Sequence, residues 1–419
     1  TGTIKILINN KELIKQRTGI ELVIKKIADL DIERDRGIKV PKELLTTNAE
    51  EIINDPEIDI VVELIGGIHP AKDFILQAIQ QGKHIVTANK ALLATEGEEI
   101  FSQAKNRGVF VGFEASVGGG IPIIKSVSEA LVANKFLSIY GIINGTSNYI
   151  LTKMSQEGWE FEDALKDAQM KGYAEADPTF DIEGIDAAHK LTILASLTFG
   201  IPLSYDKLYK EGISHITAQD IRFAEELGYR IKLLAIAKAS DDEVEMRVHP
   251  TMVPEEYLIS KVEGVLNAVY VVGDAVGETM FYGRGAGEMP TGSAVVADIV
   301  DIAQKTRQGC SFAEALYIGK KPELRIKPME EIESMYYFRF SAIDKPGVLS
   351  KISGILGAHQ ISIASVIQKG RRVGKAVPLV ILTHKARESD VQKALREIEK
   401  LDVVDSKPLM VRVEGPEPS

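Results

Sequence analysis

Apolar and polar positions follow two different periods along the first 112 residues. Ile4, Leu7 and Ile8, followed by Lys11 and Glu12, fit an amphipathic helix that begins at the first residues. The turn Arg17-Thr18-Gly19 leads into Glu21–Ala28, whose composition predicts a strand, and residues 58–65 and His84–Thr87 are further short apolar runs of strand length. Between these runs the spacing predicts helices over Ala71–Gln81 and Thr95–Arg107. Alternating strand and helix implies a parallel sheet covered by helices. The opening helix has no strand ahead of it, although a βαβ unit requires one, so a preceding strand is expected upstream of Thr1 in the native chain.

From Glu114 to about Arg307 the pattern changes to longer helices, expected over Ile121–Ala133, Phe161–Lys171, Ile182–Phe199 and Ala218–Leu227, mixed with strands at Ile231–Lys238 and Val269–Gly273. This is the signature of a separate α+β domain. The charged segment Lys320–Pro328 holds two prolines and reads as a linker. After it the expected order is strand (Tyr336–Ala342), helix (Pro346–Ala358), strand (Ser362–Gln368), strand (Ala376–Thr383), helix (Ser389–Lys400), strand (Val403–Val411). That is the βαββαβ order of a ferredoxin-like fold. The fold class is thus α/β with three parts. A Rossmann-like domain spans residues 1–112 plus about 286–307, an α+β domain spans 113–285, a linker spans 308–333, and a ferredoxin-like domain spans 334–412.

Composition narrows the function. The 419 residues are 45% hydrophobic, enough for several buried cores, which excludes disorder and small disulfide scaffolds. Sixty acidic against fifty basic residues give a net charge of −10, which offers a phosphate backbone no global attraction; nucleic acid is not an expected partner. The single cysteine, Cys310, cannot form an internal disulfide and points to a reducing, cytoplasmic compartment. No apolar run reaches the roughly 18–20 residues of a membrane span, so no membrane partner is expected.

The densest cluster of polar residues runs from Lys171 to Lys190. A loop bearing Glu175, Asp177 and Asp181 enters a helix on which Asp186, Lys190, Ile193, Leu194 and Leu197 share one face. A surface salt bridge worth a few tenths of a kcal/mol is the plain alternative. The inward apolar stripe and the neighbouring acids favour instead a partly desolvated lysine governed by a carboxylate, suited to acid/base work on a carbonyl. His189 faces elsewhere and reads as structural. Three glycine-rich loops (residues 114–121, 144–146 and 283–292) call for a backbone explanation, since glycine allows positive φ and close approach to a ligand, with an ordinary tight turn as the plain alternative. The first and third precede helices, and at the first, with Pro122 in the opening turn, free N–H groups can receive an anion or carbonyls a cation. In the third, Thr291 is expected to cap a helix over Ser293–Lys305. Asp29 stands where a ribose-binding acid belongs, and Lys90, after the His84–Thr87 run, lies at the carboxyl end of the predicted sheet, where ligands bind in such folds.

Taken together, the motifs Gly172-Tyr-Ala-Glu-Ala-Asp-Pro178 through Asp186-Ala-Ala-His-Lys190, Thr87-Ala-Asn-Lys90, Asn144-Gly-Thr146 and Asp344-Lys-Pro-Gly347 resemble the homoserine dehydrogenases that carry a C-terminal ACT regulatory domain. The resemblance covers almost the whole chain. It implies NAD(P)-dependent interconversion of L-aspartate 4-semialdehyde and L-homoserine in threonine and methionine biosynthesis. It makes Lys190 the acid/base, with Asp186 and Glu175 binding substrate and Lys90 assisting, while Tyr173, Gly172, Asp181, Gly145 and Thr146 shape the pocket. It places a sodium site on Glu114, Val117, Gly119 and Ile121, oxygen ligands that suit a hard cation. Cofactor contacts fall on Ile65, Lys90, Gly287 and Asp29. Asp29 favours a free ribose hydroxyl, whereas Arg34 and Arg36 can meet a phosphate, so NAD and NADP both remain open. The resemblance further implies a homodimer or homotetramer and feedback by threonine. The family's first strand and GxGxxG loop would lie upstream of Thr1, and the expectation is that they exist in the native chain. The competing reading is an amino-acid-binding regulatory protein whose catalytic half is inert.

Overall fold

The opening helix, Gly2–Asn9, turns its small residues inward: Gly2 and Thr3 are buried, and the helix packs on the later helix Glu288–Arg307. The contact needs glycine on both sides, since a Cβ on Gly292 would lie 2.7 Å from the Gly2 carbonyl carbon and one on Gly2 would lie 2.2 Å from the Glu288 oxygen. The computed structural model describes residues 1–310, 324–368 and 375–416. It divides into two units: Thr1–Gly145 with Asp186–Leu208 and Leu266–Leu324, and Thr146–Ile185 with Tyr209–Val265 and Arg325–Ser419.

In the first unit Ile60–Glu63, His84–Thr87 and Val111–Gly112 form a parallel sheet in that order, and helices Ala71–Gln80 and Lys90–Arg107 connect its strands. This is the predicted alternation. Strand Ile27–Ala28 pairs separately with Leu45–Thr46. The expected strand over Glu21–Ala28 narrows to those last two residues because its charged positions are drawn to the surface, where Glu21 pairs with Lys11 and Lys15, Lys25 with Glu57 and Lys26 with Glu51. An antiparallel sheet of the same unit orders Gly277–Arg284, Leu266–Gly273 and Phe136–Ile142. The helix expected over Ile121–Ala133 is a short turn, Ile123–Lys125, running into a π-helical turn, Ser126–Ala130. There the Ser126 and Ser128 hydroxyls donate to the Pro122 and Ile124 carbonyls and compete with the regular ladder.

Helix Glu288–Arg307 starts earlier than expected. Gly287, not Thr291, occupies its cap position, and Thr291 lies inside the first turn, where its N–H donates to the Gly287 carbonyl at 3.0 Å. Pro290 explains the shift, because it is tolerated where first-turn N–H groups need no partner. Similarly, Gly184, with φ of +74°, divides the helix expected over Ile182–Phe199 into a turn Thr179–Ile182 and the helix Ile185–Phe199.

In the second unit, strand Tyr229–Ala239 pairs antiparallel with Glu243–Pro254, whose parallel neighbour is the last strand of the chain, Leu409–Val413. The sheet continues through Glu333–Ile343, Ala376–Thr383 and Ile363–Gln368. With helices Val348–Ala358 and Glu388–Ile398 this is the predicted βαββαβ module, its strands in the order fourth, first, third, second. Its core gathers Tyr336, Phe338, Phe340, Ile352, Leu356, Ile381, Val391 and Ile398. The last strand falls at Leu409–Val413 and not over Val403–Val411, because its carboxyl end pairs with Thr251 and Met252 of the neighbouring strand. Of the expected linker, residues 311–323 lie outside the described residues. Arg325–Lys327, also placed there, forms a strand on Glu243–Glu245, with Arg325 paired to Glu243 and Glu331. Among the described residues no helix is long and apolar enough to cross a membrane.

Candidate active site

Helix Ile185–Phe199 is buried along nearly its whole length, and its first two turns carry the chemistry. Asp186 is 5% and Lys190 8% exposed. One helical turn apart, they meet at 2.6 Å between Lys190 Nζ and Asp186 Oδ2. Lys190 also donates to the Ile143 carbonyl at 2.8 Å. An ammonium has three donors, so one remains for a substrate oxygen. The surface salt bridge weighed as the alternative is thus excluded by burial.

A second lysine arrives from the parallel sheet. Lys90 opens the helix that follows His84–Thr87, and its Nζ lies 3.0 Å from Asp186 Oδ1. It is 36% exposed, so its ammonium stands between the buried carboxylate and solvent. The Asn144 side-chain amide donates to Asp186 Oδ2 at 2.9 Å. Burial pushes the Asp186 carboxyl upward, but the Lys190 and Lys90 charges overcome it and hold the group well below the usual carboxylate range. A depressed native value means that the stability it contributes is present above the unfolded value of about 3.9 and is lost as pH falls through the native one. Two cations on one carboxylate leave the cluster one positive charge in excess, which suits an anionic group or a developing alkoxide.

Of the remaining substrate residues of the sequence reading, Gly172, Tyr173 and Glu175 lie on the loop after helix Phe161–Met170, Asp181 in the turn Thr179–Ile182, and Gly145 and Thr146 open helix Gly145–Glu157. Gly172, Tyr173 and Glu175 are exposed, while the Tyr173 carbonyl accepts from the Thr146 hydroxyl at 2.7 Å and the Asp181 carbonyl from Ser147 at 2.8 Å. The Tyr173 ring packs edge-on against Tyr149, 5.0 Å between centroids. His189 is buried beside the Tyr205 ring, as its structural reading requires.

At the carboxyl end of the parallel sheet, Ile65 is 58% exposed and followed by Gly66 and Gly67, both with positive φ and with no atom within 4 Å of where a Cβ would stand. Such an open, apolar rim fits a nucleotide. Asp29 is held by Arg36 at 2.7 Å, so the acid that favours a free ribose hydroxyl and one of the two phosphate-seeking arginines neutralise each other. The first and third glycine-rich loops have a common explanation. A Cβ on Gly119, φ +53°, would lie 2.4 Å from the Gly285 oxygen, and the Gly120 N–H donates to the Arg284 carbonyl at 3.0 Å, so the loops pack backbone against backbone. Gly287, φ +124°, caps helix Glu288–Arg307 at the end of the third loop. Glu114 is 3% exposed, and both its oxygens accept backbone N–H groups, from Ile124 at 2.8 Å and Lys125 at 2.9 Å. Burial pushes its carboxyl up to about 7. Among the described residues no group of three or more His, Cys, Asp or Glu side chains converges as a metal site would.

Sequence reasoning quoted the segments that hold Asn144, Asn89 and Glu63 but gave none of the three a role in the site. The available signals were a carboxylate closing an apolar strand and an asparagine immediately ahead of a lysine at a helix start.

A nucleotide-type parallel sheet, in one unit with a buried carboxylate shared by two ammonium groups, defines a dehydrogenase of the α/β class. Known proteins agree. The family model of homoserine dehydrogenase matches residues 122–300, that of the homoserine dehydrogenase NAD-binding domain residues 2–114, and that of the ACT domain residues 336–403. Homoserine dehydrogenase of Neisseria gonorrhoeae is 48% identical over 417 residues, covering 99% of this chain and 96% of the relative; that of Helicobacter pylori is 47% identical over 413 residues, covering 98% and 95%. The crystal structure of a homoserine dehydrogenase from Thiobacillus denitrificans superposes with a TM-score of 0.92 at 49% identity over 99% of this chain and 95% of that one. The chain belongs to the homoserine dehydrogenase family. It is an oxidoreductase with a Rossmann-like NAD-binding domain, a catalytic domain and a C-terminal ACT domain.

Proposed function

We propose that the protein interconverts L-homoserine and L-aspartate 4-semialdehyde with a nicotinamide cofactor, NADP or NAD, at the Lys90–Asp186–Lys190 cluster. The observation that carries this reading is the pair of ammonium groups on one buried carboxylate. When bound, the cofactor supplies or accepts the hydride at the substrate carbon. Lys190 Nζ gives its free proton to the oxygen as the aldehyde is reduced and takes it back in the reverse direction. Asp186 holds both ammonium groups in place, and Lys90 offsets charge on the same oxygen. The family motif further assigns substrate contacts to Glu175, Tyr173, Gly172, Asp181, Gly145 and Thr146, supported by the bracing of their loop by Thr146 and Ser147. Cofactor contacts fall on Ile65, Gly287, Asp29 and Lys90. NADP has the support of a related hyperthermophilic archaeal homoserine dehydrogenase mutant in complex with NADPH, 29% identical with a TM-score of 0.54 over 63% of this chain. Homoserine oxidation followed by nicotinamide absorbance tests the reading; no turnover with either cofactor would overturn it.

The buried Glu114 carboxylate, short of positive charge, together with the carbonyls of Val117, Gly119 and Ile121 in the same loop, fits a hard monovalent cation, and we assign sodium there. We further propose domain limits of 1–112 with about 286–307, 113–285 and 334–412, joined by a linker over 308–333, in a cytoplasmic homodimer or homotetramer. Sedimentation would measure the assembly.

The regulatory ligand is an amino acid, with threonine as the pathway end product. In its support, a cavity of about 350 Å³ lies at the first strand-to-helix turn of the ACT domain, between Asp344–Leu349 and residues Gln368, Val377 and Leu379. Gly347, φ +89°, opens helix Val348–Ala358 there, and free N–H groups at a helix start suit an α-carboxylate while Asp344 suits the ammonium. Calorimetry on the full chain should register binding of threonine, and turnover should fall as threonine is added. Asp344→Ala should weaken that binding at least ~tenfold. Silence in both assays would leave the domain to oligomerisation alone.

A further inference from the structure

Strand Ile60–Glu63 ends on a carboxylate that is 4% exposed. Its hydrogen-bond partners among the described residues are neutral: Oε1 accepts the N–H groups of Ile65 at 2.7 Å and Gly66 at 3.1 Å, and Oε2 accepts the Thr87 hydroxyl at 2.7 Å. Thr87 Oγ1 in turn accepts the Asn89 N–H at 3.0 Å. The Asn89 side chain donates to the Gly67 carbonyl at 2.6 Å and accepts from the Leu92 N–H at 3.2 Å, capping helix Lys90–Arg107. The chain of bonds closes on itself. It ties the loop after one parallel strand to the start of the helix after the next, and Lys90 is the first residue of that helix.

Placing an ionised group in a dry interior is costly, and a turn of this length requires only a helix cap. A carboxylate nevertheless stands here because it alone accepts on both oxygens at once; a glutamine would present its NH₂ to an N–H or hydroxyl donor. Two consequences follow from what the ring holds. The Leu64–Gly67 loop, exposed at Leu64 and Ile65, is fixed at the sheet's carboxyl end, and Lys90 is fixed 3.0 Å from Asp186.

We propose that Glu63, acting through Thr87 and Asn89, is a positioning residue that sets both the cofactor-facing loop and the location of Lys90. The inference rests on the reading of that rim as the nicotinamide-cofactor site.

The test uses the full chain and two readouts: titration of NADPH and NADH by protein fluorescence, which requires no turnover, and steady-state kinetics. Glu63→Gln should weaken cofactor binding about tenfold, the effect of one lost hydrogen bond to a charged group, and lower kcat several-fold. In a Lys90→Ala background the same substitution should leave kcat where Lys90→Ala alone puts it, since both act on kcat through one ammonium. A merely structural role would instead lower kcat by the same factor in both backgrounds, and that outcome would overturn the proposal, as would unchanged cofactor affinity. Thr87→Val, which keeps the side-chain volume and removes one link, should weaken binding by a smaller factor, and Thr87→Ser should restore it. If Glu63→Gln fails to fold, the Thr87 variants decide, and unchanged cofactor affinity in Thr87→Val would overturn the proposal. If the unsubstituted protein binds cofactor but does not oxidise homoserine, the activity assignment fails while the fluorescence arm still decides the role of Glu63.

Discussion

Lys190→Ala should lower kcat for homoserine oxidation by a factor of at least ~10² while leaving cofactor affinity nearly unchanged, the loss expected when a positioned acid/base is removed. Lys190 is 8% exposed and its ammonium is bonded to Asp186 and the Ile143 carbonyl, so its remaining donor has a defined direction and water is a poor substitute. Asp186 and Lys90 remain in contact in the variant, so the loss falls on proton transfer and not on the whole cluster. Lys190→Arg should rescue little, because a guanidinium stays protonated at any working pH and cannot take the proton back. Steady-state kinetics beside a direct cofactor titration measures both halves. A variant that keeps half its turnover would remove Lys190 from the acid/base role.

The largest effect on stability should come from Arg412. It lies on the last strand, 1% exposed, and its guanidinium donates to Glu388 at 2.6 and 2.9 Å, to Glu211 at 2.7 Å and to the Tyr209 hydroxyl at 3.3 Å. Glu388 is 2% exposed and also accepts the Tyr336 hydroxyl at 2.8 Å. Removing the cation strands a buried carboxylate, which costs about 3–5 kcal/mol, more than the pair itself contributes. Arg412→Ala should therefore reduce the unfolding free energy by that amount in denaturant titration, and the loss should appear in the transition that reports the second unit. The triple variant Arg412→Met with Glu388→Gln and Glu211→Gln should recover most of it, since neither carboxylate of the network is then left facing a missing cation. A loss below about 1 kcal/mol for Arg412→Ala would mean that water reaches the network and screens it.

The parts of this molecule legible in the sequence are those set by local periodicity. The βαββαβ order, the strand and helix alternation before residue 112 and the Asp186–Lys190 pair one helical turn apart are visible because side-chain direction repeats at fixed intervals in helices and strands. Boundaries were less legible where two local preferences compete: Ser126 and Ser128 bend a run that reads as one helix, and Gly184 cuts another. Of the candidate site, sequence spacing placed Lys190 beside Asp186 and put Lys90 at the end of a strand. It carried no information that Lys90 and Asn144 converge on the same carboxylate, because that depends on the packing of elements far apart in the chain.

The amino-acid sequence by itself determined the fold class, the order of the domains and which residue types could do acid/base chemistry, since each follows from local pattern or from chemical identity. Only the tertiary structure decided what those residues meet. It decided that the glycines of two loops serve each other's backbone, that Asp29 is engaged by Arg36, that Glu63 closes a ring with Thr87 and Asn89, and that Arg412 is buried against two carboxylates. Burial and partner distance are properties of the packed chain. The same lysine is a solvated surface charge or a catalytic acid depending on how much water its neighbours exclude.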